Sequence, residues 1–181
     1  MSKNFSKYLS YLLRHNPSDI GLYIDSEGWV SVNELLNRLD KHNKYKVSLD
    51  DLKEVVSTDE KQRYSFKDNF KYIRANQGHS IPEVNIQFKS YNPKDILYHG
   101  TASRFLDKIM SSGGLKPMSR LYVHLSKDIK TAEAVGKRHG EIKILIIDAK
   151  AMHEDGFDFF ESNNGVILVK EVPNKYIKVS E

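Results

Sequence analysis

The feature that most constrains this chain is a change of hydrophobic period partway along it. Over residues 5–56 apolar side chains recur three times at helical spacing, whereas beyond residue 93 they come mostly in short runs of strand length. Phe5, Leu9, Leu12 and Leu13, with Tyr8 beside them, make the first helical stripe. Pro17 disfavours helical geometry at Asn16, so this helix is expected to stop near His15, leaving Arg14 and His15 at its C-terminal end. The turn Asp25-Ser26-Glu27-Gly28 leads into Trp29-Val30. Ser31 and Glu34 then read as a capping box for a second helix carrying Val32, Leu35, Leu36 and Leu39. Ser48 and Asp51 repeat that signal for a third, with Leu49, Leu52, Val55 and Val56. Arg63-Tyr64-Ser65-Phe66 and Lys71-Tyr72-Ile73-Arg74 flank the turn residues Asp68-Asn69 as a hairpin.

Three helices followed by a hairpin is the order of a winged helix-turn-helix. Residues 75–93 carry two prolines and few periodic apolar positions, so they read as a loop and linker. In the second half, Ile96-Leu97-Tyr98-His99 is a short strand ending at Gly100-Thr101. A helix with Phe105, Leu106, Ile109 and Met110 on one face follows and ends at Gly113-Gly114. Leu121 to Leu125 is a strand, Thr131 to Arg138 a helix that Gly140 can cap, and Ile142 to Ile147 a buried strand. Phe157 to Phe160, Val166 to Val169 and Tyr176 to Val179 complete a sheet, with Asn163-Asn164-Gly165 as a turn between two of them. The expected class is α+β, with one lobe over residues 1–92, linker included, and a β-rich lobe over 93–181.

Composition removes several classes. There is no cysteine, which excludes disulfides and thiolate metal sites. The first ten residues lack the apolar core of a signal peptide, and no apolar run approaches the ~20 residues of a membrane span. A cytoplasmic protein with no membrane partner is expected, acting as a monomer. Net charge is +4, and each half holds 14 basic and 12 acidic side chains, so there is no basic tail. That balance permits a nucleic-acid partner held through a few arginines but not one gripped along many phosphates.

Several short segments can carry chemistry. Arg14-His15 at a helix end is explained by dipole complementation alone, but a rigid guanidinium fork beside an imidazole is also a phosphate clamp. Arg74-Ala75-Asn76-Gln77-Gly78-His79-Ser80 packs donors, a glycine and a histidine into one loop leaving a strand. It reads equally as a polar surface loop or as a cradle that brings backbone amides to a phosphate. His99-Gly100-Thr101 and His124-Leu125-Ser126 both sit at strand ends in the same half, which makes a shared cleft plausible. Neither histidine lies in an HxxxH or HxH pattern, so zinc is not expected. Gly136-Lys137-Arg138-His139-Gly140 sets cations at a helix end, where the dipole again explains them. The chain has no GxxxxGK[ST], no GxGxxG and no GxSxG, so P-loop, Rossmann and serine-hydrolase sites are absent.

Taken together, YLLRHNP, GLYIDSEGWVSVNELL, RYSF, IRANQGHS, LYHGT, VHLS, AVGKRHG and NNGV resemble the Tpt1/KptA family of RNA 2′-phosphotransferases, in family order over residues 5 to about 177. One departure is Ile167 after Asn164-Gly165-Val166, where the family often has a tryptophan. The resemblance implies a winged-helix RNA lobe followed by an ADP-ribosyltransferase-like lobe, with the site in a cleft between them. It implies a catalytic quartet of Arg14, His15, Arg74 and Arg138. Arg14, His15, Arg74, Asn76, Gln77, Gly78 and His79 would meet the RNA phosphate. NAD+, consumed as co-substrate without a metal, would meet His99, Gly100, Thr101, His124, Leu125, Ser126 and Val166, with His99, His124 and Val166 as a triad.

The implied reaction has two steps. The RNA 2′-phosphate displaces nicotinamide from NAD+, and the 2″-hydroxyl of the transferred ribose then attacks phosphorus. Nicotinamide, 2′-OH RNA and ADP-ribose 1″,2″-cyclic phosphate result. A phosphate monoester is mostly dianionic at neutral pH, its second pKa being about 6, so the first step needs no general-base glutamate at the third triad position. A tRNA substrate, as in tRNA splicing, is one physiological possibility the family carries. Two other readings compete. A winged-helix DNA-binding regulator accounts for residues 1–74 but not for the His99, His124 and Arg138 segments. An ADP-ribosyltransferase that stops after the first step differs in leaving a stable ADP-ribosylated product.

Overall fold

The computed structural model describes residues 3–137 and 140–180. The chain is α+β and divides into two compact units, Met1–Gln87 and Phe88–Glu181.

In the first unit, α1 (Lys3–Arg14) buries Phe5, Leu9, Leu12 and Leu13, as their spacing requires. It stops one residue before His15. Asn16 leaves the helix at φ −148°, and a 3-10 turn over Pro17–Ile20 closes at Gly21 in the left-handed region. Helix α2 (Val32–Lys41) is capped by the Ser31 hydroxyl, which accepts from the Glu34 amide at 3.3 Å. Helix α3 (Leu49–Ser57) has the full reciprocal box, with Ser48 and Asp51 each capping the other's backbone. Strands β1 (Val30–Ser31), β2 (Tyr64–Lys67) and β3 (Tyr72–Ala75) form an antiparallel sheet in the order β1-β3-β2. The pairing of β1 with β3 adds a third strand to the expected hairpin. The hairpin tip holds Asp68, Asn69 and Phe70 at φ 54°, 53° and 65°, a conformation that Asp and Asn tolerate and a bulky Phe rarely adopts. Ile73, Val30, Ala75 and Tyr64 turn into one core with the helices.

The second unit contains β4 (Lys89–Tyr91), β5 (Leu97–Ala102), α4 (Leu106–Ser111), β6 (Gly114–Leu115), β7 (Val123–Leu125) and α5 (Ile129–Gly136). These are followed by β8 (Ile142–Ile147), α6 (Ala149–Glu154), β9 (Phe159–Glu161), β10 (Ile167–Val169), β11 (Val172–Pro173) and β12 (Ile177–Val179). Two sheets dominate, β4-β9-β10-β7 and β12-β8-β5, with β11-β6 as a small third. Tyr98 and Ser126 exchange backbone bonds of 2.9 and 2.8 Å, tying β5 to the end of β7.

Three features correct the sequence reading. Residues 75–93 are not all linker, since Lys89–Tyr91 pairs with β9 as an edge strand and Val84 and Ile86 are buried. Strand β5 runs on through Gly100 and Thr101 to Ala102, because β8 offers it six consecutive partners. Helix α6 has no counterpart in the reading. Its Asp148 cap is ordinary, but its apolar positions are only Ala149 and Met152 buried, too few for a visible period. No helix among the described residues is long and apolar enough to cross a membrane.

Candidate active site

In the first unit the loop that leaves β3, residues 76–80, folds over the end of α1. The Ser80 amide donates to the Arg14 carbonyl at 2.9 Å, and the Ser80 hydroxyl lies 2.8 Å from Nδ1 of His15. Arg14 is itself buried. Gly78 sits so close to its guanidinium that a Cβ there would come within 3.3 Å of Cζ, and at φ +87° the backbone already favours glycine. Arg74, on β3, donates from Nη1 to the Glu27 carbonyl at 3.1 Å and stacks its guanidinium 4.5 Å from the Trp29 ring centroid. Its Nε is buried without a hydrogen-bond partner. Burial holds its pKa below the ordinary arginine value, against the opposing pull of Glu27 and Asp25.

His79 ties the cluster together. It is buried against Gly28, whose Cβ would lie 3.1 Å from the imidazole Nε2, and that nitrogen has no hydrogen-bond partner. Desolvation, followed by the charges of Arg14, Arg74 and His15, pushes its pKa down to about 3. Arg14, Arg74 and His15 therefore all lie within electrostatic reach of His79, which stays neutral beside the two guanidiniums. Gln77 is buried with its Oε1 unpartnered. Asn76 differs from its neighbours. Its amide nitrogen donates to the Gln62 carbonyl at 2.8 Å and its Oδ1 accepts from the Ser65 hydroxyl at 2.7 Å, so its side chain braces the end of the hairpin.

In the second unit the two motif histidines meet. His99 Nδ1 lies 2.9 Å from the His124 carbonyl, which can only accept, so His99 carries its proton on Nδ1 and presents a bare Nε2. Arg120 Nη1 lies 2.9 Å from His124 Nδ1, and a guanidinium can only donate, so His124 carries its proton on Nε2. The pair thus offers one acceptor and one donor. Burial first, then the charge of Arg120, lowers the His99 pKa and keeps it neutral, outweighing its bond to the His124 carbonyl.

The other residues of this group have distinct surroundings. Gly100 lies against α5, where a Cβ would stand 1.8 Å from the Ala132 carbonyl oxygen. Thr101 is buried beside it, and Leu125 belongs to the core. Ser126 is fixed through its backbone to Tyr98. Val166 lies one residue before β10, and its amide and carbonyl both engage the Ser162 hydroxyl. Arg138 lies outside the described residues. Arg120 was not visible as a site residue, because a contact from an irregular segment to a strand four residues on has no periodic signature. Among the described residues, no three His, Asp or Glu side chains group as metal ligands.

Comparison with known proteins gives one consistent match. The family model described as RNA 2′-phosphotransferase, Tpt1/KptA family, matches residues 1–171. A protein of Trichormus variabilis named probable RNA 2′-phosphotransferase is 49% identical over 172 residues, covering 95% of this chain and 93% of its own. Similarly named proteins of Nostoc punctiforme and Flavobacterium johnsoniae are 49% and 44% identical, covering 96% and 98% of this chain and 94% and 96% of their own.

Proposed function

The chain belongs to the Tpt1/KptA family of RNA 2′-phosphotransferases, and from that membership we propose that it removes an internal 2′-phosphate from RNA by transferring it to NAD+, which is consumed. In the first step an oxygen of the 2′-phosphate bonds to the anomeric carbon of the nicotinamide ribose as nicotinamide leaves. In the second, the 2″-hydroxyl of that ribose bonds to phosphorus as the RNA 2′-oxygen leaves and takes up a proton. The products are nicotinamide, RNA with a 2′-hydroxyl and ADP-ribose 1″,2″-cyclic phosphate.

The observation that carries this reading is the cluster of Arg14, His15 and Arg74 around neutral His79. Two guanidiniums give paired donors to a dianion, and half-buried charges act with less screening than exposed ones. Gly78 lets the loop backbone approach the same group. Gln77 and His79 lie buried in the same loop, and Asn76 holds the loop in shape. We read the first unit as a winged helix-turn-helix RNA lobe, which its three helices and antiparallel sheet support. We read the second as an ADP-ribosyltransferase-like lobe that takes NAD+ at His99, Thr101, His124, Ser126 and Val166. The fixed donor and acceptor of the histidine pair suit a ligand that carries both hydroxyl donors and oxygen acceptors. NAD+ supplies a ribose carbon with a good leaving group, and the chain's part is to hold and neutralise.

The second step builds charge on phosphoryl oxygens, which calls for an arginine near the NAD+ ribose. Arg138, the one member of the quartet that lies in the second half of the chain, is our first candidate for that task. Arg120, set against His124, is a second candidate for it. Incubation with a 2′-phosphorylated oligonucleotide and NAD+, followed by product identification, tests the whole reading. Release of nicotinamide and the cyclic phosphate is expected. A stable ADP-ribosylated RNA as the end product replaces the reading with a one-step ADP-ribosyltransferase, and no consumption of NAD+ removes it.

A further inference from the structure

The sheet of the first unit has a second face, which the phosphate cluster shares only through Arg74. Strand alternation turns Val30, Ile73, Phe66 and Tyr64 inward, so Ser31, Tyr72, Lys67, Arg74 and Ser65 point the other way. Register pairs Ser31 with Tyr72, Lys67 with Tyr72 and Ser65 with Arg74 across this face. Trp29, the residue before β1, joins them. Lys67 Nζ lies 4.6 Å from the Trp29 ring centroid and 5.2 Å from that of Tyr72, and the Arg74 guanidinium lies 4.5 Å from Trp29. One lysine thus bridges two rings, and an arginine stacks on one of them. Three cation–aromatic contacts thus join four side chains on one face of a small sheet. Tyr72 keeps 38% of its surface exposed beside Lys67.

We propose that this outer sheet face is a stacking ledge for unpaired RNA nucleotides next to the 2′-phosphate, a proposal that rests on the RNA reading given above. The chemistry selects the occupant. Aromatic planes accept base faces, guanidinium planes do the same, and the interleaved cations meet the phosphates between bases. Bases of an A-form duplex are stacked on one another and cannot offer their faces to a flat ledge. An acidic protein surface would use the cations and leave the ring planes without purpose. Arg74 belongs both to the ledge, through Trp29, and to the phosphate cluster, through its field at His79. An RNA strand held at the cluster therefore has the ledge as its next contact, and charge complementarity continues from one to the other.

The test uses the full-length protein and a short fluorescein-labelled single-stranded RNA without a 2′-phosphate, read by anisotropy beside a blunt duplex of the same sequence. Tyr72→Ala is expected to weaken single-strand binding about tenfold, within the range that base–aromatic stacking supplies, and to leave duplex binding as it was. Tyr72→Phe, which keeps the ring, is expected to bind like the parent. An unchanged thermal midpoint in Tyr72→Ala, whose side chain is exposed, confirms that the fold is intact. In turnover, Tyr72→Ala should lower kcat/KM on a longer 2′-phosphorylated strand and not on a 2′-phosphorylated dinucleotide. Single-strand affinity and length preference equal to the parent's in Tyr72→Ala overturn the ledge, as does an equal loss for single strand and duplex. A parent protein that removes no 2′-phosphate overturns the functional reading instead, and the anisotropy arm still decides the ledge.

Discussion

His79 is the residue whose chemistry is set most firmly by its surroundings. An ordinary histidine titrates near 6.5, whereas this one is pushed down to about 3 by burial and by Arg14, Arg74 and His15. Between those two values the unfolded chain binds a proton that the folded chain refuses, so folding stability is complete above about pH 6.5 and falls as pH drops toward 3. The expected slope from this residue alone is about 1.4 kcal/mol per pH unit across that window, and chemical denaturation of His79→Gln against the parent should show that part of the dependence removed. A parent whose stability is as flat as the variant's from pH 6.5 to 4 contradicts the buried neutral state. In the second unit, His99→Ala is expected to raise KM for NAD+ and leave RNA affinity unchanged, since the imidazole is proposed to face the dinucleotide. Unaltered kinetics in NAD+ would remove that role. Arg120 and Arg138 are separated by their products. A charged hydrogen bond to phosphate is worth about 1.5–3 kcal/mol, so loss of the second-step arginine should slow that step at least about tenfold and let ADP-ribosylated RNA accumulate. Accumulation is expected in Arg138→Ala. Accumulation in Arg120→Ala instead would transfer the second step to the guanidinium that touches His124.

At the scale of elements, two close approaches shape the sites. The loop after β3 turns at Gly78, where φ +87° favours glycine and a Cβ would crowd Arg14 at 3.3 Å, and β5 reaches α5 only because Gly100 lacks a side chain against Ala132. Gly100→Ala must push the helix backbone away and is expected to cost at least about 1–3 kcal/mol, visible as a lowered denaturation midpoint. An unchanged midpoint would mean that α5 moves freely on the sheet. The elements themselves were legible to different degrees. Helices α1, α2 and α3 showed their period, caps and stops in the residues, and so did the hairpin turn and the buried strand β8. Helix α6 and strand β4 were not legible. A short helix with two buried positions has no period, and an edge strand of three residues is defined by its neighbour β9, which is distant in the chain.

Across the whole molecule, basic excess is small and even, with a net charge of +4. RNA binding should therefore depend on salt only as a few phosphate contacts would allow. For single strands the slope of log K against log salt is about −0.7 per phosphate, so a value near −2, and well short of −5, is expected from titrations in sodium chloride. A steep slope would point to a broad electrostatic footprint that the charge distribution does not supply. Each unit also keeps its own apolar core, one built on three helices and a sheet, the other on two main sheets. By itself the sequence determined what short-range physics controls. It set the helical stripes, the proline stop after Arg14, the turns and the absence of thiol chemistry, and its motifs carried the family. Tertiary structure alone decided which polar atoms meet. Asn76 bonded Ser65 and the Gln62 carbonyl, Arg120 came to His124, and the protons of His99 and His124 took opposite nitrogens, since each depends on partners brought together by folding rather than by position in the chain.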